Sequence, residues 1–326
     1  MSKVVDLDDG STIPFIKAQY GKLKGTKEEI RTSFLSLLID LNTKESYDLF
    51  KQLALNDKPT KGDITDIGYS FIDSMNLTKT LFPDILALSN DTSWANLFTI
   101  ALPSLLDSGD LKIEDLKPYF QNFYSLAEYK YKKVLVDSIN DWETVRVCDL
   151  LGYLATKEAY QILYKFTKIS PLDIKMEAML ALARNNQLVP GSDWEQVATD
   201  KLYRGELYNR LVKINKSSLF PAKYKNQKSL TESELYTIAS DDDTPESFKF
   251  IGERSYKFKG KMEKFFLFKV KFVYDGEVSE YLLFAGPYGK TLVTESPVAT
   301  MVSDEFDAKK IDEQVKESLK WYEKEE

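Results

Sequence analysis

The groups that could carry out chemistry in this chain of 326 residues are limited by one absence, because the sequence contains no histidine. That absence excludes Ser-His-Asp and Cys-His nucleophile systems, imidazole zinc sites and imidazole acid–base catalysis. The single cysteine, Cys148, lies in the apolar helical segment Val145–Leu151, which predicts a buried structural thiol rather than a reactive one. Carboxylates, lysines, tyrosines and Ser-Lys pairs remain available for catalysis.

A candidate cation site is the triplet Asp241, Asp242 and Asp243, because carboxylates bind hard metal ions. Adjacent acids in a loop rarely converge on one ion, which favours a solvated loop. The sequence has no phosphate-binding loop, no dinucleotide-binding glycine pattern, no Cys-x-x-Cys pair and no Gly-x-Ser-x-Gly elbow. We therefore assign no catalytic, cofactor-binding or metal-binding residue and no cofactor, and we favour a protein that is not an enzyme.

The net charge of the chain indicates which kinds of partner it can bind. The chain carries 44 basic and 51 acidic side chains, a net charge of −7, and an acidic surface repels nucleic-acid phosphates. Basic residues with no acid among them do occur between Asn209 and Thr231, and we expect a solvated linker there, with phosphate contact as the alternative. These residues are Arg210, Lys213, Lys216, Lys223, Lys225 and Lys228.

No apolar run is long enough for a transmembrane helix, and Met1–Asp8 lacks the apolar core of a secretory signal. We therefore expect a soluble protein without membrane insertion, cytoplasmic as written, with a fragment of an exported protein as the alternative. A protein partner is expected, whereas the sequence indicates neither a nucleic acid nor a small-molecule ligand.

Any site must be positioned by the secondary-structure elements of the chain. The first of these is a predicted N-terminal hairpin segment over residues 1–25. There Val4–Leu7 and Ser11–Ile13 flank Asp8-Asp9-Gly10, a turn sequence that is typical of a β-hairpin. Apolar residues at helical spacing then continue from Thr26 to about Asn215, which predicts about twelve helices.

An internal repeat lies within this helical region. Leu37–Tyr47 is matched by Leu150–Tyr160, with seven identical positions out of eleven. The offset of 113 residues divides into three steps of about 38 residues, the length range of stacked two-helix repeats.

Residues 26–215 resemble a degenerate array of HEAT-type repeats, on the basis of this period and of a helix in which small residues (Ala178, Ala181, Ala183) alternate with larger apolar ones. The resemblance implies an α-solenoid of about six helical pairs, whose concave surface would bind another protein. An irregular helical bundle is the alternative.

The apolar period changes to two after the expected linker at residues 216–232. The remaining residues, 233–326, predict a small α+β domain with a short helix at Ser233–Ala239, an antiparallel meander that turns at Asp275-Gly276, and a C-terminal helix at Ala308–Glu325. We expect that C-terminal helix to cover one aromatic face of the meander, formed by Phe266, Phe268, Val270 and Phe272.

A second, weaker resemblance rests on Asp9–Phe15, Gly25–Ile30 and Phe284–Pro287. These stretches are similar to regions of long exported proteins of the TraB/GumN type that follow a peptidase-like module. The Gly-x-x-His motifs of that module cannot occur without histidine, so the resemblance implies an accessory region and carries over no site residues.

The sequence thus predicts a mainly α chain, a HEAT-like solenoid followed by a small α+β domain, that acts as a non-catalytic protein-binding or scaffold module. Three alternatives remain. The chain is an accessory region of a TraB/GumN-like exported protein, a carboxylate- or metal-dependent enzyme, or a HEAT-like DNA glycosylase, which the acidic charge disfavours because such a groove must be basic.

Overall fold

The chain forms two compact units, Met1–Gln187 and Leu188–Glu326, in a computed structural model. The first unit is helical in its described part, and the second combines helices with an antiparallel sheet, which confirms the predicted mainly α fold with an α+β part. The structure describes residues 12–23, 27–56, 67–68, 70–71, 85–137, 141–241, 243–274 and 276–324.

We number the described α-helices in chain order. Those of the first unit are α1 (Thr12–Tyr20), α2 (Glu28–Asp40), α3 (Lys44–Asn56), α4 (Thr92–Ser108), the short α5 (Ile113–Leu116), α6 (Phe120–Asp137), α7 (Trp142–Leu154), α8 (Lys157–Phe166) and α9 (Leu172–Arg184). A 3-10 turn, Leu86–Asn90, leads into α4.

The N-terminal β-hairpin expected from the sequence falls mostly on residues 1–11, which lie outside the described residues. The prediction of its second strand is wrong at Thr12 and Ile13, because both residues belong to α1. Ile13, Ile16 and Tyr20 are buried at three- and four-residue spacing, so this segment gains more apolar burial as a helix than an alternating strand would give it.

From α4 to α9 the helices pack in a regular ladder, if the short α5 is left aside. Each helix contacts the next one, as α6 contacts α7 and α7 contacts α8. Each also contacts the next but one, since α4 packs against α7, α6 against α8 and α7 against α9. Contacts restricted to near neighbours along the chain are typical of stacked helical hairpins.

The two copies of the sequence repeat form the same junction between helices. In the first, α2 is followed by Asn42 with a left-handed φ of 54°, and the Thr43 hydroxyl accepts a hydrogen bond from the Ser46 amide at 3.1 Å. In the second, α7 is followed by Ala155 with a φ of 53°, and the Thr156 hydroxyl accepts from the Ala159 amide at 3.2 Å. A left-handed residue thus ends one helix, and a threonine caps the next.

The helices α7 and α9 approach each other closely at a glycine. A Cβ atom added to Gly152 would lie 2.8 Å from the Cβ and 3.1 Å from the Cα of Ala181. The Asn185 side-chain amide also donates to the Gly152 carbonyl at 2.7 Å. Small residues at both positions therefore set the distance between these two helices.

The second unit contains four α-helices and one sheet in its described part. The helices are α10 (Gly191–Thr199), α11 (Lys201–Lys213), α12 (Gln227–Ala239) and α13 (Ile311–Tyr322). The strands β1 (Ser247–Phe258), β2 (Lys261–Tyr274), β3 (Glu277–Gly286) and β4 (Val298–Glu305) form an antiparallel meander in the order β1-β2-β3-β4.

This division differs from the expected domain limits at residues 216–232, because α10 and α11 belong to the same compact unit as the sheet. The guanidinium of Arg204 on α11 is buried and donates to the Ser229 carbonyl at 3.1 Å and to Glu232 at 2.7 Å. The expected linker also contains the beginning of α12, which starts at Gln227 rather than at Ser233.

Both faces of the sheet are covered, each by a different helix. Phe266, Phe268, Val270 and Phe272 are buried with Leu235 and Ala239 of α12. The expectation that the C-terminal helix covers this face is therefore wrong. The apolar stripe of α13 (Ile311, Val315, Leu319) packs instead against the opposite face, which includes Phe265, Leu267 and Phe284.

Each unit encloses one large indole. Trp94 of α4 is 1% exposed and lies 6.0 Å from both Phe50 and Phe98, measured between ring centroids. Trp194 of α10 is 2% exposed. The other two tryptophans, Trp142 and Trp321, lie at the surface.

Candidate functional site

We describe one concave site in each unit of the described part of the chain. The first, which we call the polar cleft, has a volume of about 510 Å³ and is lined mainly by side chains with amide or hydroxyl groups: Ser89, Ser93, Asn96, Asn122, Ser125 and Tyr129. The second, which we call the β4–α13 groove, has a volume of about 310 Å³ and is lined by Met301, Asp304, Gln314, Glu317 and Trp321 among others.

Helix caps and hydrogen bonds position the walls of the polar cleft. The Asp91 carboxylate accepts from the Ser93 amide at 3.0 Å and so caps the N-terminus of α4. From α6, the Asn122 side-chain amide donates to the Ser89 hydroxyl at 3.1 Å and to the Asn90 side-chain carbonyl at 3.0 Å. These bonds tie α6 to the turn that precedes α4, and the cleft lies between them.

A lysine with two acidic partners is part of the lining of the polar cleft. Lys130 is 4% exposed, and its ammonium group lies 3.2 Å from the Asp141 carboxylate and also bonds to Glu143. Burial opposes ionisation of Asp141, but Lys130, the Thr144 hydroxyl and Lys133 outweigh it and hold the pKa of this carboxyl below its usual value. The buried ammonium is thereby neutralised.

The deep wall of the cleft contains an acceptor without a donor. Asn96 on α4 is 6% exposed, and its side-chain carbonyl oxygen has no hydrogen-bond partner. Buried side-chain oxygens are normally paired with protein or water donors. Asn96 is therefore the residue of this cleft whose hydrogen bonding is incomplete.

The β4–α13 groove combines exposed apolar groups with acidic ones. Trp321 is 53% exposed and Met301 is 39% exposed. The carboxylates of Asp304 and Glu317 line the same groove, and neither forms an ion pair in the described structure. Gln314 donates from its side-chain amide to the Glu305 carbonyl at 2.9 Å, while its own buried side-chain oxygen has no partner.

The groove runs along an edge of the sheet. Among the described strands β4 pairs with β3 alone, with a register shift between its pairings with Tyr281 and Leu283, so its other side presents backbone groups that no strand uses. Two of the β4 carbonyls, those of Val298 and Glu305, already accept from the side chains of Ser296 and Gln314. The opposite edge, β1, is interrupted by a bulge between Phe250 and Gly252 and carries charged residues such as Lys249 and Arg254. Bulges and charges are features that discourage strand addition.

The residues that the sequence analysis considered for chemistry do not come together. Cys148 is buried, as expected, and burial raises the pKa of its thiol well above the usual value, which keeps the thiol neutral. Asp241 and Asp243 are exposed, whereas Asp242 lies outside the described residues. Within the described ranges no group of three His, Cys, Asp or Glu side chains is arranged to hold a metal ion.

The basic residues between Asn209 and Thr231 bond in part within their own unit. Lys225 donates to the Ser217 carbonyl at 3.0 Å, and the ammonium of Lys228 lies 4.2 Å from the ring centre of Phe250. Lys223 lies over the ring of Tyr224 in the same way. These contacts fix three of the basic side chains against the second unit.

Sequence reasoning singled out none of the residues that line the two sites. Asn96, Asn122 and Trp321 belong to no motif. The polar cleft is assembled from elements distant in the chain, whereas the β4–α13 groove lies between two consecutive elements. A partial signal exists in the second site, because Glu317 and Trp321 are four residues apart and so share one face of a helix.

None of the helices in the described ranges has the length and apolarity needed to cross a membrane. Comparison with known proteins gives no match to a family model, to a curated protein or to a solved structure. The resemblances to HEAT-type repeats and to TraB/GumN-type proteins therefore stay predictions.

Proposed function

We propose that this chain is a non-catalytic protein-binding module that holds an extended, basic segment of its partner in the β4–α13 groove. The observation that carries the proposal is the open edge of β4 beside a groove with unpaired carboxylates and an exposed indole. Main-chain and side-chain recognition would thus act on the same segment.

Main-chain recognition would come from strand addition. An extended peptide that lies along an open edge satisfies the unused N–H and C=O groups of that edge and gains affinity without regard to its sequence. Both edge strands contain a register shift, β1 at Gly252 and β4 between its pairings with Tyr281 and Leu283. β4 is better suited to strand addition because it carries two charged side chains (Asp304, Glu305) where β1 carries four. The peptide would extend the sheet by a fifth strand next to Val298–Glu305.

Side-chain recognition would come from charge and from the aromatic ring. Asp304 on the strand and Glu317 on the helix both attract a cationic side chain, and the Trp321 indole offers it a π face. A cation over an indole contributes about 0.5–2 kcal/mol, and an exposed ion pair adds about 0.2–1 kcal/mol. Together these terms favour lysine or arginine in the bound segment.

The packing of the first unit supports a scaffold role of the kind proposed for HEAT-like arrays. Its helices contact the next helix and the next but one, and the junctions after α2 and α7 are built alike. An array of this type carries an extended surface for a protein partner.

The proposal is tested by selecting random linear peptides, displayed on phage, on the immobilised full-length chain. Enriched peptides are synthesised, and their dissociation constants are measured by titration calorimetry. We expect the enriched peptides to contain lysine or arginine. We also expect Glu317→Lys to raise the dissociation constant about tenfold, because it replaces an attractive charge with a repulsive one. Trp321→Ala should weaken binding by a similar factor.

Glu313→Lys is the matched control, because Glu313 is exposed on the same helix one turn away and does not line the groove. It changes the net charge by the same amount and should leave binding unchanged. Equal weakening by Glu313→Lys and Glu317→Lys would show a general charge effect and contradict the groove as the site. Enriched peptides that lack basic residues, or no enrichment over an uncoated surface, would contradict the proposal as well.

A further inference from the structure

We infer that the polar cleft of the first unit is a binding site for a neutral sugar ring. The inference concerns a different unit from the groove and does not depend on the function proposed above. Its basis is a cavity of about 510 Å³, which lies in the range of about 300–1,000 Å³ that is usual for small-molecule sites.

The lining of the cleft matches the chemistry of a sugar. Side-chain amides (Asn96, Asn122) and hydroxyls (Ser89, Ser93, Ser125) both donate and accept hydrogen bonds. A sugar hydroxyl also does both. The Asn122 amide nitrogen already donates to Ser89 and Asn90, so Asn122 offers a ligand hydroxyl its side-chain oxygen as an acceptor. Most small-molecule sites contain few polar groups in an apolar lining, and the number of amide and hydroxyl side chains here therefore favours a ligand with several hydroxyl groups.

The electrostatics of the cleft favour a neutral ligand over an anion. Lys130 is the cation in the wall, and it is already bonded to Glu143 and to Asp141. Asp141 is held in its ionised form by Lys130, Thr144 and Lys133, so the ammonium of Lys130 is not available to neutralise a phosphate. An incoming anion would meet two carboxylates near that lysine.

The side-chain oxygen of Asn96 is a hydrogen-bond acceptor that has no donor within the described part of the protein. This oxygen lies in a side chain that is 6% exposed and has no partner, and a buried acceptor without a donor is unfavourable. A hydroxyl group of a ligand in the cleft would supply the missing donor after a small rotation of the amide. Asn96 is thus an expected contact of the ligand.

The rim of the cleft offers a flat apolar surface. Tyr129 on α6 lines the cleft and is 52% exposed. The axial C–H groups of a pyranose form an apolar face that packs on such a ring, while its hydroxyls point to the polar wall. The cleft therefore presents one stacking surface and one hydrogen-bonding surface to the same ring.

The inference is tested with saturation-transfer NMR on the full-length chain. The probes are glucose, N-acetylglucosamine and chitotriose, with inorganic phosphate as the anionic comparison, observed by ³¹P line broadening. We expect transfer to at least one of the sugars and no broadening of phosphate. Stronger binding of chitotriose than of the monosaccharides would indicate a glycan chain as the source of the ring, whereas equal binding would indicate a free sugar.

Three variants locate the site. Tyr129→Ala removes the exposed ring and should raise the dissociation constant about fivefold or more, while Tyr129→Phe keeps the ring and should bind like the original chain. Asn122→Ala removes a lining amide and should weaken binding about tenfold.

Gln121→Ala is the matched control, because Gln121 precedes Asn122 on the same helix but lines a separate surface groove. It should bind the sugar normally. A melting temperature recorded for every variant separates loss of binding from loss of fold. Absence of transfer to all three sugars would overturn the inference. Transfer that persists in both Tyr129→Ala and Asn122→Ala, or binding of phosphate in preference to the sugars, would overturn it too.

Discussion

Ala155 and Asn42 occupy the same position in the two repeated junctions, with left-handed φ angles of 53° and 54°. Asparagine adopts this conformation more readily than alanine, for which it costs roughly 1–2 kcal/mol. The side-chain oxygen of Asn42 in addition accepts a hydrogen bond from the Tyr47 hydroxyl at 3.0 Å. Tyr160 stands in the second copy where Tyr47 stands in the first, so the chain itself supplies a better residue for position 155.

We expect Ala155→Asn to raise the free energy of unfolding by about 0.5–1 kcal/mol, because the substitution relieves an unfavourable backbone conformation. Urea unfolding followed by circular dichroism measures the change. The reverse substitution, Asn42→Ala, should lower the stability, since it introduces the strain and removes the bond to Tyr47. A loss of stability in Ala155→Asn would show that the two junctions are not equivalent in energy.

For single residues, the sequence predicts best those interactions that join a residue to its neighbours in the chain. The sequence shows Leu37–Tyr47 and Leu150–Tyr160 as one repeat, and in each copy a threonine of the repeat, Thr43 or Thr156, caps the helix that follows. The lining of the polar cleft could not be predicted in the same way. Asn96 and Asn122 are ordinary helical residues until the packing of α4 on α6 brings them to one cavity.

Between elements, the packing of α7 on α9 depends on the absence of one side chain. A Cβ at residue 152 would lie 2.8 Å and 3.1 Å from two atoms of Ala181, and one of these is a backbone atom that cannot rotate away. We therefore expect Gly152→Ala to lower the unfolding free energy by about 1–3 kcal/mol, although alanine is the better helix former. Differential scanning calorimetry of the full-length chain measures this loss.

Gly191→Ala serves as the control, because a Cβ on this helical glycine has no atom within 4 Å. Its effect should be neutral or slightly stabilising. The double variant Gly152→Ala with Ala181→Gly should recover part of the loss, since it restores space between the helices. If Gly152→Ala alone is as stable as the original chain, the helices are not held at this distance.

The assignment of sheet faces shows why elements were easier to predict than their packing. The period of two correctly predicted β2, but Phe265, Phe266, Leu267 and Phe268 place apolar side chains on both faces in succession. Such a run is typical of a strand covered on two sides. Periodicity does not say which helix covers which face, and the terminal helix was therefore assigned to the wrong one. β4 was missed because its second half, Ser303–Glu305, is polar.

For the whole molecule, the limits of the second unit are the main difference from expectation. Apolar residues continue at helical spacing from α9 into α10 and α11, and this spacing does not reveal which neighbours a helix packs against. The basic segment was interpreted as a linker, yet Phe220, Tyr224 and Leu230 within it are buried. The aromatic residues Phe220 and Tyr224 among the lysines are the feature of the sequence that indicates a packed segment rather than a solvated linker.

A pair of fragments tests where the second unit begins. We expect residues 188–326 to unfold cooperatively in urea, because this fragment keeps α11 and the buried Arg204 with its partner Glu232. The fragment 216–326 lacks both helices that precede α12, exposes Leu230 and should aggregate or unfold without a clear transition. Equal, cooperative unfolding of the two fragments would instead place the boundary near residue 216.

The distribution of the four tryptophans gives the protein internal optical reporters. Trp94 and Trp194 are enclosed, one in each unit, while Trp142 and Trp321 are 44% and 53% exposed. Enclosed indoles emit at shorter wavelength than hydrated ones, so variants that retain a single tryptophan would report the unfolding of each unit separately. In such a set the emission of Trp321 alone would respond to a peptide in the β4–α13 groove, and the same molecule would display both its stability and its occupancy in one spectrum.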